Sequence, residues 1–144
     1  MPARPTPDRI AYLSRRLYRQ MLDEVYAGLP EAGFPDIRPA HSAVLRNLPD
    51  EGARPSVLAD WAVVTKQSMA SLIEDLSRLG YVAVGPDPDD GRARRVTLTP
   101  EGRRAQATLT RLSREAEGRL AHRIGEEALE TLRAHLLAAT ADDA

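Results

Sequence analysis

The stretch TKQSMASLIEDLSRLGYVAVGPDPDDGRARRVTLTPEG, running from Thr65 to Gly102, decides the fold. Met69, Leu72, Ile73, Leu76 and Leu79 recur at helical spacing, so one face of Thr65–Leu79 is committed to a core. Gly80 supplies a left-handed stop. The opposite face of the first two turns carries Thr65, Lys66, Gln67, Ser68 and Ser71, with no carboxylate until Glu74. A helix start that is rich in donors and neutral or positive suits phosphates and base edges. A hairpin is expected next, with strands Tyr81–Val84 and Arg94–Leu98 around a proline- and aspartate-rich turn. It brings Arg92, Arg94 and Arg95 close to its tip. Thr99-Pro100-Glu101 then opens a new helix with a capping hydroxyl, a proline at the first position and an acid in the first turn.

A helix followed by a basic hairpin is the layout of a winged helix-turn-helix, and the residues upstream complete it. Pro55–Ala62 reads as a short helix with Leu58, Ala59 and Ala62 inward, and Val63-Val64 as the turn into the Thr65 helix. Asp36 and Pro39 open another helix with apolar Ala40, Val44, Leu45 and Leu48. The expected fold is therefore mainly α with a small β-hairpin wing, an α+β chain with long helices at both ends. Thr6-Pro7-Asp8 starts the first, whose stripe is Ile10, Leu13, Leu17, Met21, Val25 and Leu29, widened by Tyr18 and Leu22. Ala105, Leu109, Leu112, Ala116, Leu120 and Ile124 stripe the fifth. Gly125 breaks it, and Leu129, Leu132, Leu136 and Leu137 stripe the last. Such helices have too little of their own core to cover, and a second copy would bury them.

Asp90-Gly91-Arg92, five residues, Leu98-Thr99, two residues and Gly102 resemble the wing signature of the MarR-type bacterial transcriptional regulators. Thr65-Lys66-Gln67-Ser68-Met69 and Leu76-Ser77-Arg78-Leu79-Gly80-Tyr81-Val82 resemble that family's recognition helix and its exit. The resemblance implies one domain over 1–144, with dimerisation helices in 1–35 and 105–144 and a DNA-binding lobe over 36–104. It implies a homodimeric regulator, a repressor by this reading, on an inverted-repeat operator of double-stranded DNA. Thr65, Lys66, Gln67, Ser68 and Ser71 would face the major groove, and Arg92 would enter the minor groove. Arg94 and Arg95 would lie on flanking phosphates or sugars, and Asp90 would hold the Arg92 guanidinium in place. In this family small aromatic or anionic effectors often bind a crevice between the dimer helices and the DNA lobe. Tyr12, Arg16, His41 and Trp61 are candidates to line one, although Trp61 also fits packing between the second and third helices. Val63 stands where related sequences often place glycine or asparagine. A β-branched residue at positive φ is an outlier, so the expectation is an ordinary turn or a shifted third helix. Val84 and Gly85 stand where related wings often carry arginine.

Charge is polarised along the chain although its formal net is −1. From Gly91 to Arg104 five arginines face Glu101 alone, a net of +4, whereas Glu115–Ala144 carries a net of −4. Nineteen of the 20 basic residues are arginine, a skew that genome composition explains as readily as phosphate binding.

Other chemistries find little support. There is no cysteine, so disulfides and thiol redox sensing are excluded. No stretch reaches a membrane span and the N-terminus lacks a signal-peptide run, which implies a cytoplasmic chain. His41, His122 and His135 fall on three predicted helices and read as surface or helix-flank residues. Only His122 has an acid four residues on, Glu126, and Gly125 breaks the helix between them. No metal, cofactor or catalytic motif follows, and the chain does not read as an enzyme. Asp87 and Asp89 read as turn formers. The alternative reading is a winged-helix protein-interaction module that does not bind DNA.

Overall fold

The computed structural model describes residues 1–2 and 8–142. Thr6, Pro7 and Asp143 lie outside the described residues. Helix α1 (Ile10–Ala27) is followed by a 3-10 turn (Pro39–His41) leading into a short α2 (Ser42–Leu45), then α3 (Pro55–Ala62) and α4 (Lys66–Arg78). Strands β1 (Val82–Pro86) and β2 (Arg94–Leu98) form an antiparallel pair in which Val82 faces Leu98 and Pro86 faces Arg94. Helices α5 (Pro100–Ile124) and α6 (Glu126–Thr140) complete the chain.

The core lies in the middle of the chain, where α2, α3, α4, the hairpin and the start of α5 meet. Val44, Leu45, Leu58, Met69, Leu76 and Val96 are all fully buried. Cap chemistry sets the two decisive helix starts. The Thr65 hydroxyl accepts the Ser68 N–H at 3.0 Å, and the Thr99 hydroxyl accepts the Gly102 N–H at 3.0 Å. Gly80 and Gly125 adopt positive φ of 86° and 93° where the sequence requires breaks.

Several expectations are corrected. The second helix shrinks to one α turn, so Leu48 is buried from the loop beyond it and Ala40 is exposed. Strand β1 starts one residue late and runs to Pro86, because Tyr81 turns inward. Its ring lies 6.0 Å from that of Phe34 and its hydroxyl donates to Asp36 at 2.6 Å. Burial and that carboxylate push the Tyr81 hydroxyl's pKa well up. Val63 sits at φ 55°, ψ 47°, a left-handed position that caps α3. Neither an ordinary turn nor a shifted helix is needed: the tight turn takes the left-handed geometry and bears the strain in valine, whose side chain is 89% exposed.

Helix α5 packs along α1, with Arg119 pairing Glu24 at 2.9 Å, and α6 returns on α5 through Arg133 and Glu117, also at 2.9 Å. The apolar stripes at the ends are covered in part within one chain: Val25, Leu29 and, on α5, Ala105, Leu109, Leu112, Ala116 and Leu120 are buried, whereas the start of α1 and the end of α6 stay bare. Ile10 is 76% exposed, Tyr18 57% and Leu137 65%, and α6 has no buried residue.

Candidate nucleic-acid interface

Helix α4 buries Met69, Ile73 and Leu76, which turns Lys66, Gln67, Ala70, Ser71 and Glu74 outward as one exposed stripe. Its first turn holds no acid. Thr65 and Ser68 are partly committed to the cap, since the Thr65 hydroxyl also donates to the Ser68 hydroxyl at 2.9 Å. Lys66, Gln67 and Ser71 make no side-chain hydrogen bond or ion pair among the described residues. Their donors are therefore available.

The wing grows from a β-ribbon fastened at its base. Ala53 exchanges two backbone hydrogen bonds with Val96, at 3.0 and 2.8 Å, adding a one-residue third strand. Gly52 makes this approach feasible: its φ is +80°, and an added Cβ would fall on the Val96 carbonyl oxygen and 2.8 Å from Thr97 Cγ2. At the tip, Arg92 and Arg94 are exposed, with no side-chain partner among the described residues. Arg95 behaves differently. Its guanidinium donates to the Glu51 and Gly52 carbonyls at 3.1 and 3.2 Å and lies 3.3 Å from Asp87.

Asp90 does not hold the Arg92 guanidinium as expected. Its carboxylate accepts the backbone N–H of Arg92 at 3.0 Å, a turn-forming bond of short reach. The charged anchor is Asp87, whose side chain is fully buried. One of its oxygens accepts Arg54 Nε at 3.0 Å, and the other takes the N–H groups of Asp89 and Asp90 at 2.8 and 3.2 Å. The Arg54 guanidinium and these backbone donors hold its pKa down to about 2. Sequence reading missed Asp87 and Arg54 as a pair. Each follows or precedes a proline, as turn residues commonly do, and 33 positions separate them.

The four residues named for an effector crevice do not converge. Trp61 is 56% exposed on the outer side of α3 and does not pack between helices, because Leu58 and Ala59 already fill that face. His41 is wholly buried, not a surface residue. Its Nδ1 accepts the Arg38 N–H at 3.0 Å, so Nε2 carries the proton and points at Asp75, 3.6 Å away. Burial lowers its pKa, against the pull of Asp75. Tyr12 and Arg16 lie on the outer half of α1, half-buried and exposed. The concavity between α1, α2 and α5 is lined instead by Tyr18, Met21, Leu22, Val25, Arg46, Ser113 and Glu117, with a volume of about 190 Å³. Arg46 donates to the Ser113 hydroxyl at 3.1 Å and has no carboxylate partner among the described residues. Among the described residues no group of three or more His, Asp or Glu is placed to hold a metal, and no helix is long and apolar enough to cross a membrane.

A model of the MarR family matches residues 36–93, from the segment before α2 through the wing tip. The transcriptional activatory protein BadR of Rhodopseudomonas palustris is 46% identical over 46 residues, 32% of this chain. That match spans only about a quarter of BadR, 26% of its length. A probable transcriptional regulator from Pseudomonas aeruginosa superposes with a TM-score of 0.71 at 25% identity, covering 90% of this chain and 95% of its own. A MarR-family transcriptional regulator from Rhodococcus sp. RHA1 gives 0.76 at 23%, covering 94% of each chain. CouR from Rhodococcus jostii RHA1, solved bound to p-coumaroyl-CoA, gives 0.76 at 24%, covering 95% of each. The family match falls on the helix-turn-helix and wing, and the likeness of fold extends to the terminal helices. With the donor-bearing α4, the basic wing and helices at both ends, these findings give residues 36–93 a match to the MarR family and the chain a winged helix-turn-helix fold similar to that of MarR-family transcriptional regulators.

Proposed function

We propose that two copies of this chain form a homodimer that binds an inverted-repeat operator in double-stranded DNA and represses the promoter it overlaps. One observation carries the reading: a single lobe offers the acid-free start of α4 and, beside it, the unpaired Arg92 and Arg94 of the wing. Lys66, Gln67 and Ser71 face base edges in the major groove, with Thr65 and Ser68 at its wall. Arg92 enters the adjacent minor groove, where the negative potential is enhanced, and Arg94 meets phosphate. Arg95 serves from inside, holding the wing's base to the Glu51–Gly52 loop. The apolar residues that α1 and α6 leave exposed, Ile10, Leu13, Tyr18, Leu136 and Leu137, support dimerisation, since a second copy of the same helices would cover them. Occupying an operator over a promoter suffices to repress, and DNA as target places the protein in the cytoplasm.

The crevice between α1, α2 and α5 supports an effector. Arg46 offers an unpaired cation beside apolar Met21, Leu22 and Val25, which suits a small anion with an aromatic or aliphatic body. Its binding would shift α2 against α4 and release DNA.

The test selects duplexes from a random-sequence pool with the purified protein, then compares Gln67→Ala and Ser71→Ala with the parent. The selected site should be an inverted repeat with half-sites about 10 base pairs apart. Each variant should lose about 1–3 kcal/mol of discrimination at the base pair it contacts. Parent-like discrimination by both variants refutes the assignment of α4. No enrichment at all favours the protein-interaction module.

A further inference from the structure

We propose that Asp87 positions the wing: by clamping Arg54 at the head of α3 and Arg95 on β2, it sets the angle at which Arg92 and Arg94 reach DNA beside α4. The inference rests on the DNA-binding reading above and adds what the Asp90-Gly91-Arg92 motif does not supply. A five-residue, two-stranded ribbon is marginal by itself. The Ala53–Val96 bridge and the Arg95 hydrogen bonds to the Glu51 and Gly52 carbonyls fix its base, which leaves the tip beyond Pro86 and Arg94 free to swing.

Asp87 removes that freedom at the first residue past the strand. One carboxylate oxygen closes the turn through the N–H groups of Asp89 and Asp90. The other receives Arg54 Nε at 3.0 Å and Arg95 at 3.3 Å. A buried carboxylate persists only when its charge and lone pairs are met, and here both oxygens are engaged. The same side chain thus shapes the loop that carries Arg92 and ties it to the helix preceding α4. Wing and recognition helix then move as one body. Loss of the negative charge leaves the Arg54 and Arg95 guanidinium groups facing each other as like charges. Arg54, 40% exposed, can swing to solvent, whereas Arg95 keeps its two carbonyls. The base of the ribbon survives and the tip loosens.

The test uses Asp87→Asn and, as a milder break from the other side, Arg54→Met in the full-length chain. Each is footprinted on a duplex selected by the parent. Hydroxyl-radical cleavage reads the minor groove under the wing, and methylation at guanine N7 reads the major groove under α4. Both variants should bind roughly tenfold more weakly, a loss on the scale of one specific contact. They should lose flanking minor-groove protection while keeping guanine protection and oligomer mass. A residue that merely holds the lobe together would lose both protections together. That joint loss, or parent-like minor-groove protection in Arg54→Met, overturns the proposal. A parent that binds no duplex fails at the earlier step and refutes the DNA-binding reading itself.

Discussion

Replacing Gly102 by alanine inserts one methyl group where α5 meets the start of the wing. The new Cβ would fall on the Tyr81 carbonyl oxygen, 2.9 Å from its carbonyl carbon and 3.2 Å from Leu98 Cδ2. Two of these neighbours are backbone, and the carbonyl is pinned by the Thr99 N–H at 3.0 Å. To make room, α5 must move away from the wing and strain or break that bond. Overpacking costs about 1–3 kcal/mol, and the lost hydrogen bond about 1 kcal/mol. Alanine returns about 1 kcal/mol through its helix preference over glycine. The net is a loss of about 2 kcal/mol, or about 4–8 °C in Tm for a chain of this size. Thermal unfolding followed by circular dichroism, at matched protomer concentration, measures it. Gly118→Ala is the control on the same helix, with nothing among the described residues beyond its own helix backbone and chain neighbours within 4 Å of the added Cβ, and should gain up to about 1 kcal/mol. A Gly102→Ala protein that melts at or above the parent refutes the packing argument.

Val63→Asn relieves a left-handed β-branched residue without uncovering any core, so Tm should rise by about 2–4 °C, a gain of about 1 kcal/mol; a fall indicates that the valine side chain is stabilising. His41 is buried neutral with its pKa pushed below the ordinary 6.5, so the folded state binds fewer protons than the unfolded chain. Stability should therefore decline as pH drops below about 6.5, and His41→Gln should remove that part of the slope in urea titrations; an unchanged slope contradicts it. Light scattering in the micromolar range should give twice the 15.8 kDa chain mass, and deletion of residues 1–29 should yield insoluble or unfolded protein. A well-folded monomer from that truncation ends the dimer account.

The elements legible in the sequence are those dictated by local chemistry. Thr65 and Thr99 announce their helices because a hydroxyl cap acts on the N–H three residues on. Gly80 and Gly125 mark breaks because only glycine takes φ near +90° at no cost. The core face of α4 follows from periodicity alone. What the sequence hid depends on distant partners. Nothing in the spacing of Arg54 and Asp87, or of His41 and Asp75, reveals that they meet, so Asp87 read as a turn former and His41 as a surface residue. Trp61 misled for the opposite reason: a large apolar residue implies burial, but Leu58 and Ala59 had taken the inward face of a two-turn helix. Val63 shows local preference yielding to tertiary demand, since the geometry between α3 and α4 fixes the turn whichever residue stands there.

The central claim is that the face formed by α4 and the wing binds DNA through charge carried by the exposed wing arginines. Fluorescence anisotropy of a labelled mixed-sequence duplex, titrated with the parent and Arg92→Ala across a series of salt concentrations, tests it most directly. The parent should bind with log K falling linearly against log salt. Arg92→Ala should bind more weakly to selected and mixed-sequence duplexes alike, with the slope flattened by about 1 per contact, or about 2 per two-fold dimer. Its Tm and mass should stay at parental values, because an exposed tip carries little core. A parent-like affinity and slope for Arg92→Ala would contradict the account and leave the wing arginines as a solvated surface.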